Sequence, residues 1–186
     1  MTLNTFYNLG ILYRLQGRLG EAEVMQERTL QGTEQSWGRD HMLTLDTVNS
    51  LGTILMDQER FTDAEAMLKR ALQGYKKALG EEHISTFDTV SDLGVLYKRQ
   101  GRLDDAEAMY KRALQGYEKA LGKNGTKTYV PFLNTITNLG LLYEELGRQT
   151  ESRECYEKAL QGCRKVFGHD SDHARRLEKH LYGSTE

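Results

Sequence analysis

The segment Gly122-Lys123-Asn124-Gly125-Thr126-Lys127-Thr128 comes nearest to a phosphate-binding loop, in which glycines let backbone amides close around an anion. It lacks the Gly-Lys-Ser/Thr order and no strand pattern precedes it, so it reads as a loop insertion. His169 and His173 stand four apart and could offer two metal ligands on one helix face. No third ligand accompanies them, and they read as surface residues. Cys155 and Cys163 stand eight apart. On one helix that is roughly 12 Å at about 1.5 Å per residue, too far for a disulfide. Two reduced thiols in an intracellular, cytoplasmic protein are expected. Arg18, Arg60, Arg102 and Arg148 are followed three residues later by Glu21, Asp63, Asp105 and Glu151. These are structural ion pairs, worth roughly 0–1 kcal/mol each at a surface. No Ser-His-Asp, Cys-His or paired-carboxylate arrangement stands outside a repeating pattern. The chain is therefore expected not to be an enzyme and to take no cofactor or metal.

Repetition sets the elements that carry these residues. Leu9-Gly10 recurs as Leu51-Gly52 and Leu93-Gly94, each 42 residues on, and as Leu139-Gly140 after 46. The tripeptides starting at Leu30, Leu72, Leu114 and Leu160 keep the same clock, as do Gly38, Gly80, Gly122 and Gly168. The four extra residues fall between Gly122 and Thr135, which reads as the one long loop. The 123–131 stretch, with Pro131, is either a local recognition feature or a tolerated insertion.

Each copy reads as two helices. In the third, Phe87, Val90, Leu93, Leu96 and Tyr97 recur at helical spacing over about 86–100, and Gly101 ends the run. The second helix opens at Asp104, where Glu107 completes a capping-box pattern, as Thr62 and Glu65 do in the second copy. Thr44 and Thr86 are the expected N-caps of their first helices. Gly10, Gly52, Gly94 and Gly140 lie mid-helix, where glycine costs roughly 1 kcal/mol against alanine. A close helix crossing explains that cost, with Ala22, Ala64, Ala106 and Ser152 as the small surface opposite. His41 and His83 recur three residues after a helix-ending glycine and are assigned to loop packing. One hairpin cannot bury its own apolar stripe, so copies must stack.

Composition limits the function. Charged residues make up 28% of the 186, yet the formal net charge is −2. A nucleic-acid or anionic-membrane surface needs a basic surplus, so neither partner is expected. No apolar run approaches the roughly 20 residues of a membrane span, and the N-terminus lacks a signal-peptide pattern.

Val90, Leu93, Gly94, Tyr97, Ala106, Tyr110 and Ala113 resemble the consensus of tetratricopeptide repeats, specifically the 42-residue kinesin-light-chain-like class. Other copies depart from it: Leu55, Glu59 and Leu68 replace tyrosine, glycine and aromatic in the second, and Gln26 and Thr29 replace aromatic and alanine in the first. The resemblance implies an all-α fold, a right-handed α-solenoid of helix-turn-helix repeats forming a single domain over 1–186. The repeats run at approximately 2–43, 44–85, 86–131 and 132–172, followed by a capping or partial-repeat helix over 173–182, with Leu177 and Leu181 facing inward. The wording of the copies looks most like arrays of fungal NOD-like, nucleotide-binding STAND-type signalling proteins. That would make the chain a fragment of a larger protein whose enzymatic domain lies elsewhere. The chain starts at a repeat boundary rather than with a capping element.

In this family the first helices line a concave face along which peptides lie. Mapped by position, the implied site is Asn4, Asp46, Asp88 and Asn134; Tyr7, Asn49, Ser91 and Thr137; Asn8, Ser50, Asp92 and Asn138; and Ile11, Thr53, Val95 and Leu141. Asn, Ser and Thr can pair with the backbone of an extended peptide, while the apolar residues supply pockets. Asp46, Asp88 and Asp92 favour a basic or neutral segment. Chaperone-binding members clamp a terminal carboxylate with basic residues here, and this chain carries Asn, Asp or Ser instead. The competing reading keeps the same polar residues only for capping and solubility. The expected function is thus a protein-protein interaction module, with a self-associating scaffold, joined through the repeat ends, as the alternative.

Overall fold

A computed structural model describes residues 2–183, and no strand occurs among them. Helices α1 (Leu3–Leu15) and α2 (Leu19–Trp37) form one antiparallel hairpin, and α3 (Met42–Asp57) and α4 (Phe61–Leu79) the next. Then follow α5 (Ile84–Arg99), α6 (Leu103–Gly125), α7 (Val130–Glu145), α8 (Gln149–Phe167) and α9 (Asp172–Tyr182). The chain divides into two compact units, Met1–Leu96 and Tyr97–Glu186. In the first, α1 packs on α2, α3 on α4, and α2 against α3. In the second, α7 packs on α8, and α6 and α9 flank that pair. Leu45, Val48, Ala71 and Tyr75 form the centre of the first unit's core, and Leu30 of α2 closes it from the preceding hairpin.

Interlocking glycines hold the α1/α2, α3/α4 and α7/α8 hairpins together. A β-carbon at Gly52 would meet Leu68 of α4 at 2.9 Å, and one at Gly140 would meet Tyr156 of α8 at 2.8 Å. The residue over the mid-helix glycine is therefore the large one of the second helix. The alanines expected there, Ala22, Ala64 and Ala106, are fully buried but stand one turn away from it. A second, reciprocal set belongs to the glycines of the Leu-Gln-Gly tripeptides, which the sequence shows only as a register mark. Gly32, Gly74 and Gly162 on the second helices receive Leu3, Leu45 and Leu133 from the first, and a β-carbon would overlap each leucine. Two side chains thus cross between the helices in opposite directions, each over a glycine.

The hairpin turns explain the recurring arginine. Gly17, Gly101 and Gly147 adopt positive φ, and in the second copy Glu59 does so at 63°, a conformation that strains a residue with a β-carbon. The turn returns the chain so that the arginine lies on the consensus tyrosine: Arg102 is 3.9 Å above the Tyr97 ring, and Arg148 4.2 Å above Tyr143. Each arginine also pairs with the acid three residues on, as in Arg60 with Asp63 at 2.9 Å. The tyrosine is the platform for this cation, a contact that pair spacing alone did not reveal.

Helix starts differ from the sequence expectation. The N-cap of α3 is His41, whose Nδ1 accepts from the Leu43 amide, and His83 Nδ1 accepts from Ser85 in the same way. Thr44 and Thr86 lie inside their helices, and their hydroxyls donate to the carbonyls of Gly38 and Gly80 at 2.9 Å. Those threonines tie the previous helix end to the next helix start. The capping boxes do not form either: α4 and α6 start one residue before Thr62 and Asp104, with no side-chain cap. Glu65 and Glu107 bond instead to Lys69 and Lys111. The four-residue insertion is no long loop. Helix α6 kinks at Gly122 and continues to Gly125, a 3-10 turn covers Thr126–Thr128, and Pro131 sits in the first turn of α7. Cys155 and Cys163 are free and buried, and burial pushes the Cys155 thiol up to about 11 and raises that of Cys163. In α9, Ala174 and Leu177 are buried and Leu181 is half-buried. His173 stacks on Phe167 with ring centroids 4.5 Å apart.

Two departures from the consensus carry a cost. Gln26 is completely buried where other copies place Leu68 or Tyr156; its Nε2 donates to the Tyr7 carbonyl at 3.1 Å, while its Oε1 has no partner. Burying an amide oxygen unpaired costs about 1–3 kcal/mol. Gln26→Leu should raise the melting temperature by about 2–4 °C, since 1 kcal/mol shifts a domain of this size by roughly that much. Glu59→Gly should also stabilise, by up to about 1 kcal/mol, because relief of the left-handed strain exceeds glycine's added freedom in the unfolded chain. Thermal melts by circular dichroism check both, and a lower melting point for either variant contradicts its account.

Candidate functional site

The first unit holds an open groove of about 360 Å³ on its first helices. Tyr7 and Ile11 of α1 form one side, Asp46, Asn49, Ser50 and Thr53 of α3 the floor, and Asp88 and Asp92 of α5 the other side. This arrangement follows from helical spacing: places two, five, six and nine of a helix share a face. Arg14, Ser85 and Thr89 complete the lining from first helices, and Tyr75 reaches in from α4.

Not every expected residue enters it. Asn4 and Asn8 are exposed on α1 away from the lining, Ser91 is buried, and Val95 is half-buried. In the second unit, Asn134 is exposed on α7, and Thr137, Asn138 and Leu141 are half-buried there. Tyr75 and Arg14 lie outside the four places of the first helices that the family pattern assigns to the concave face. The Leu-Gln-Gly-Tyr wording around Tyr75 was the available signal, since it sets an aromatic one residue after a close helix crossing.

The groove's polar groups are already ordered. Tyr75 donates its hydroxyl to Asp46 Oδ1 at 2.5 Å, and Asn49 Nδ2 donates to Asp92 Oδ2 at 2.8 Å. Asn49 Oδ1 is buried without a partner. Arg14 Nε donates to Asp57 Oδ2 at 2.7 Å, which holds the one lining cation against a carboxylate beside the groove. Thr53 and Thr89 spend their protons on their own helices, at Ser50 O and Ser85 O. Towards a ligand they therefore act as acceptors, which narrows the pairing expected of the threonines.

Electrostatics follow from this geometry. Burial raises the Tyr7 hydroxyl, and the charge of Asp46 adds to the effect. Burial also raises Tyr75, reinforced by its hydrogen bond to Asp46. Asp92 is only partly exposed and lies deep among neighbouring atoms. That burial, with the nearby Asp88 charge, pushes its carboxyl up to about 6, against the Asn49 hydrogen bond and the Arg14 charge. The α5 side of the groove thus holds a carboxylate that gains from a cation brought close to it.

Two family models described as tetratricopeptide repeat match the chain, one over residues 42–119 and the other over 2–41 and 132–175. No curated protein sequence matches it significantly. Among solved structures, a putative kinesin light chain from Podosopora anserina with nearly identical TPR-like repeats superposes with TM-score 0.74 at 17% identity, over 96% of this chain and 83% of that one. BtubC (BKLC) from P. vanneervenii gives 0.72 at 22%, over 99% and 66%. The Rap conjugation gene regulator of the plasmid pLS20, in complex with the Phr* peptide, gives 0.83 at 17%, over 99% and 48%. At these identities the likeness establishes the fold, an α-solenoid of the kinesin-light-chain-like kind. The chain spans about two thirds or less of the last two proteins. No helix among the described residues is long and apolar enough to cross a membrane.

Asp92 makes stability depend on pH. Its folded pKa of about 6 lies above the ordinary 3.8, so the native state binds more protons between those values. Unfolding free energy should therefore fall as pH rises through that window. Asp92→Asn keeps an acceptor for Asn49 and removes the titration. Urea melts at pH 5 and pH 7 should show the variant losing less stability between the two than the wild type. Equal losses would exclude a buried, titrating Asp92.

Proposed function

We propose that this chain, which belongs to the tetratricopeptide repeat family, binds an extended protein segment along its first helices and holds a basic residue of that segment in the first unit's groove. The observation that carries this is the set of three carboxylates, Asp46, Asp88 and Asp92, beside Tyr7 and Tyr75 in one open groove. A lysine or arginine there meets negative charge at its head and aromatic surface along its stem. Tyr75 and Asn49 orient two of the carboxylates beforehand, so little side-chain entropy remains to be lost on binding. The Phr* peptide bound by the Rap regulator supports peptide recognition on this fold. The second unit by itself carries a similar mixture of polar and apolar groups, Asn134, Thr137, Asn138 and Leu141, without carboxylates. We place the chain within a fungal NOD-like signalling protein of the cytoplasm, where it supplies binding rather than catalysis. Its repeat wording supports that setting, and the two free, buried thiols suit a reducing compartment.

Selection of random peptides on the immobilised chain should enrich lysine and arginine. The double variant Asp88→Asn, Asp92→Asn should bind the selected peptides about tenfold more weakly, equivalent to roughly 1.4 kcal/mol. Added salt should weaken the wild-type complex more than the variant's. Peptides without basic residues, or affinities the variant leaves unchanged, would sink the assignment.

A further inference from the structure

The groove of the first unit spends donors on itself and keeps acceptors for a ligand. Thr53 and Thr89 commit their hydroxyl protons to the carbonyls of Ser50 and Ser85. Tyr75 gives its proton to Asp46 Oδ1, Asn49 gives an amide proton to Asp92 Oδ2, and Arg14 Nε donates to Asp57. What remains for a ligand is mostly lone pairs: Asp46 Oδ2, Asp92 Oδ1, the carboxylate of Asp88 and the two threonine oxygens.

Those acceptors are spread rather than gathered. Asp46 stands three residues before Asn49 on α3, and Asp88 four before Asp92 on α5. At about 1.5 Å per residue, the members of each pair lie roughly 4.5–6 Å apart along their helix. Asn49 and Asp92 are joined at 2.8 Å, so Asp46 and Asp88 each stand about one turn from that link. Among the described residues no three His, Cys, Asp or Glu side chains meet closely enough to hold a metal ion. The three carboxylates therefore do not surround one point. An ammonium directs three donors from a single nitrogen and is best satisfied by acceptors that converge on it. A guanidinium carries five donors in a plane, along separate edges, and reaches carboxylates that stand apart. It is also less strongly hydrated, and its flat face can stack on the half-buried Tyr7 beside the groove.

We infer that this groove selects arginine over lysine, with Asp46 on α3 receiving one edge of the guanidinium and Asp92 on α5 another. The inference rests on the proposed binding of a basic segment and narrows the class of that segment. Tyr75 and Asn49 each occupy one oxygen of these two carboxylates and so fix where the second oxygen stands. A lysine satisfies one carboxylate at a time, and the other stays unpaired beside it.

A peptide selected on the full chain, made in three otherwise identical forms with arginine, lysine or citrulline at its basic position, tests this. Fluorescence anisotropy should show the arginine form binding about tenfold more tightly than the lysine form. Citrulline keeps the shape of arginine without its charge, and that form should bind no better than the lysine one. Asp46→Asn keeps an acceptor for Tyr75 and removes one of the spaced charges. It should bring the ratio of arginine to lysine affinity down towards parity. A substitution that merely loosened the fold would weaken both forms alike and leave their ratio in place. Equal affinities for the arginine and lysine forms, or a ratio that Asp46→Asn does not change, overturn the inference while the binding of a basic segment stands. Selected peptides without basic residues would overturn both.

Discussion

Everything in this molecule depends on how closely two helices of a hairpin approach, and glycine sets that distance from both sides. Leu68 lies over Gly52, and Leu45 lies over Gly74. Mid-helix glycine costs roughly 1 kcal/mol of helix propensity, but burial of a leucine against bare backbone contributes about 1.5–3 kcal/mol. The balance favours the crossing, and it fixes the rotation of each helix about its axis. Once that rotation is set, the groove side, the neighbour-facing side and the solvent side of every helix are set with it.

Separation of these sides lets one repeat serve several purposes. At the crossing the glycine is kept in every copy, while the side chain over it changes from Gln26 to Leu68 and Tyr156. The registers that supply the groove change chemistry from copy to copy: Tyr7, Asn49 and Ser91 share one, and Asn8, Ser50 and Asp92 another. The side facing the next hairpin has its own rules, in which an arginine seeks a glutamate of the preceding helix. Groove and stacking contacts therefore draw largely on different residues of one helix, with Arg14 and Asn49 serving both.

The sequence made the helices, their pairing and the groove registers legible because each rests on a period that survives in every copy. Contacts between side chains were less legible. Thr44 looked like a cap because helix starts favour threonine, yet His41 reaches the amide first and leaves the threonine hydroxyl for Gly38. The insertion after Gly122 looked like a loop because it breaks the period, yet a kink at one glycine lets the helix resume. Tyr75 was overlooked as a groove residue because it lies on the second helix, where periodicity assigns it to the core. It does belong to the core, being 3% exposed, and only its hydroxyl emerges at Asp46. A periodic signal reports which face a side chain leaves from, and the reach of a long side chain lies outside it.

Asp92 shows how function can be read against that background. A buried carboxylate on the side of a groove, with an amide as its hydrogen-bond partner, costs stability at neutral pH. Asn8, Ser50 and Asn138 hold the same register without that cost, so the fold does not require an acid there. The hydrophobic crossings are strong enough to carry the cost in one place. What the carboxylate offers in return is an electric field within a groove whose own cation, Arg14, is turned to Asp57. That field is the physical basis of the basic-segment binding proposed above.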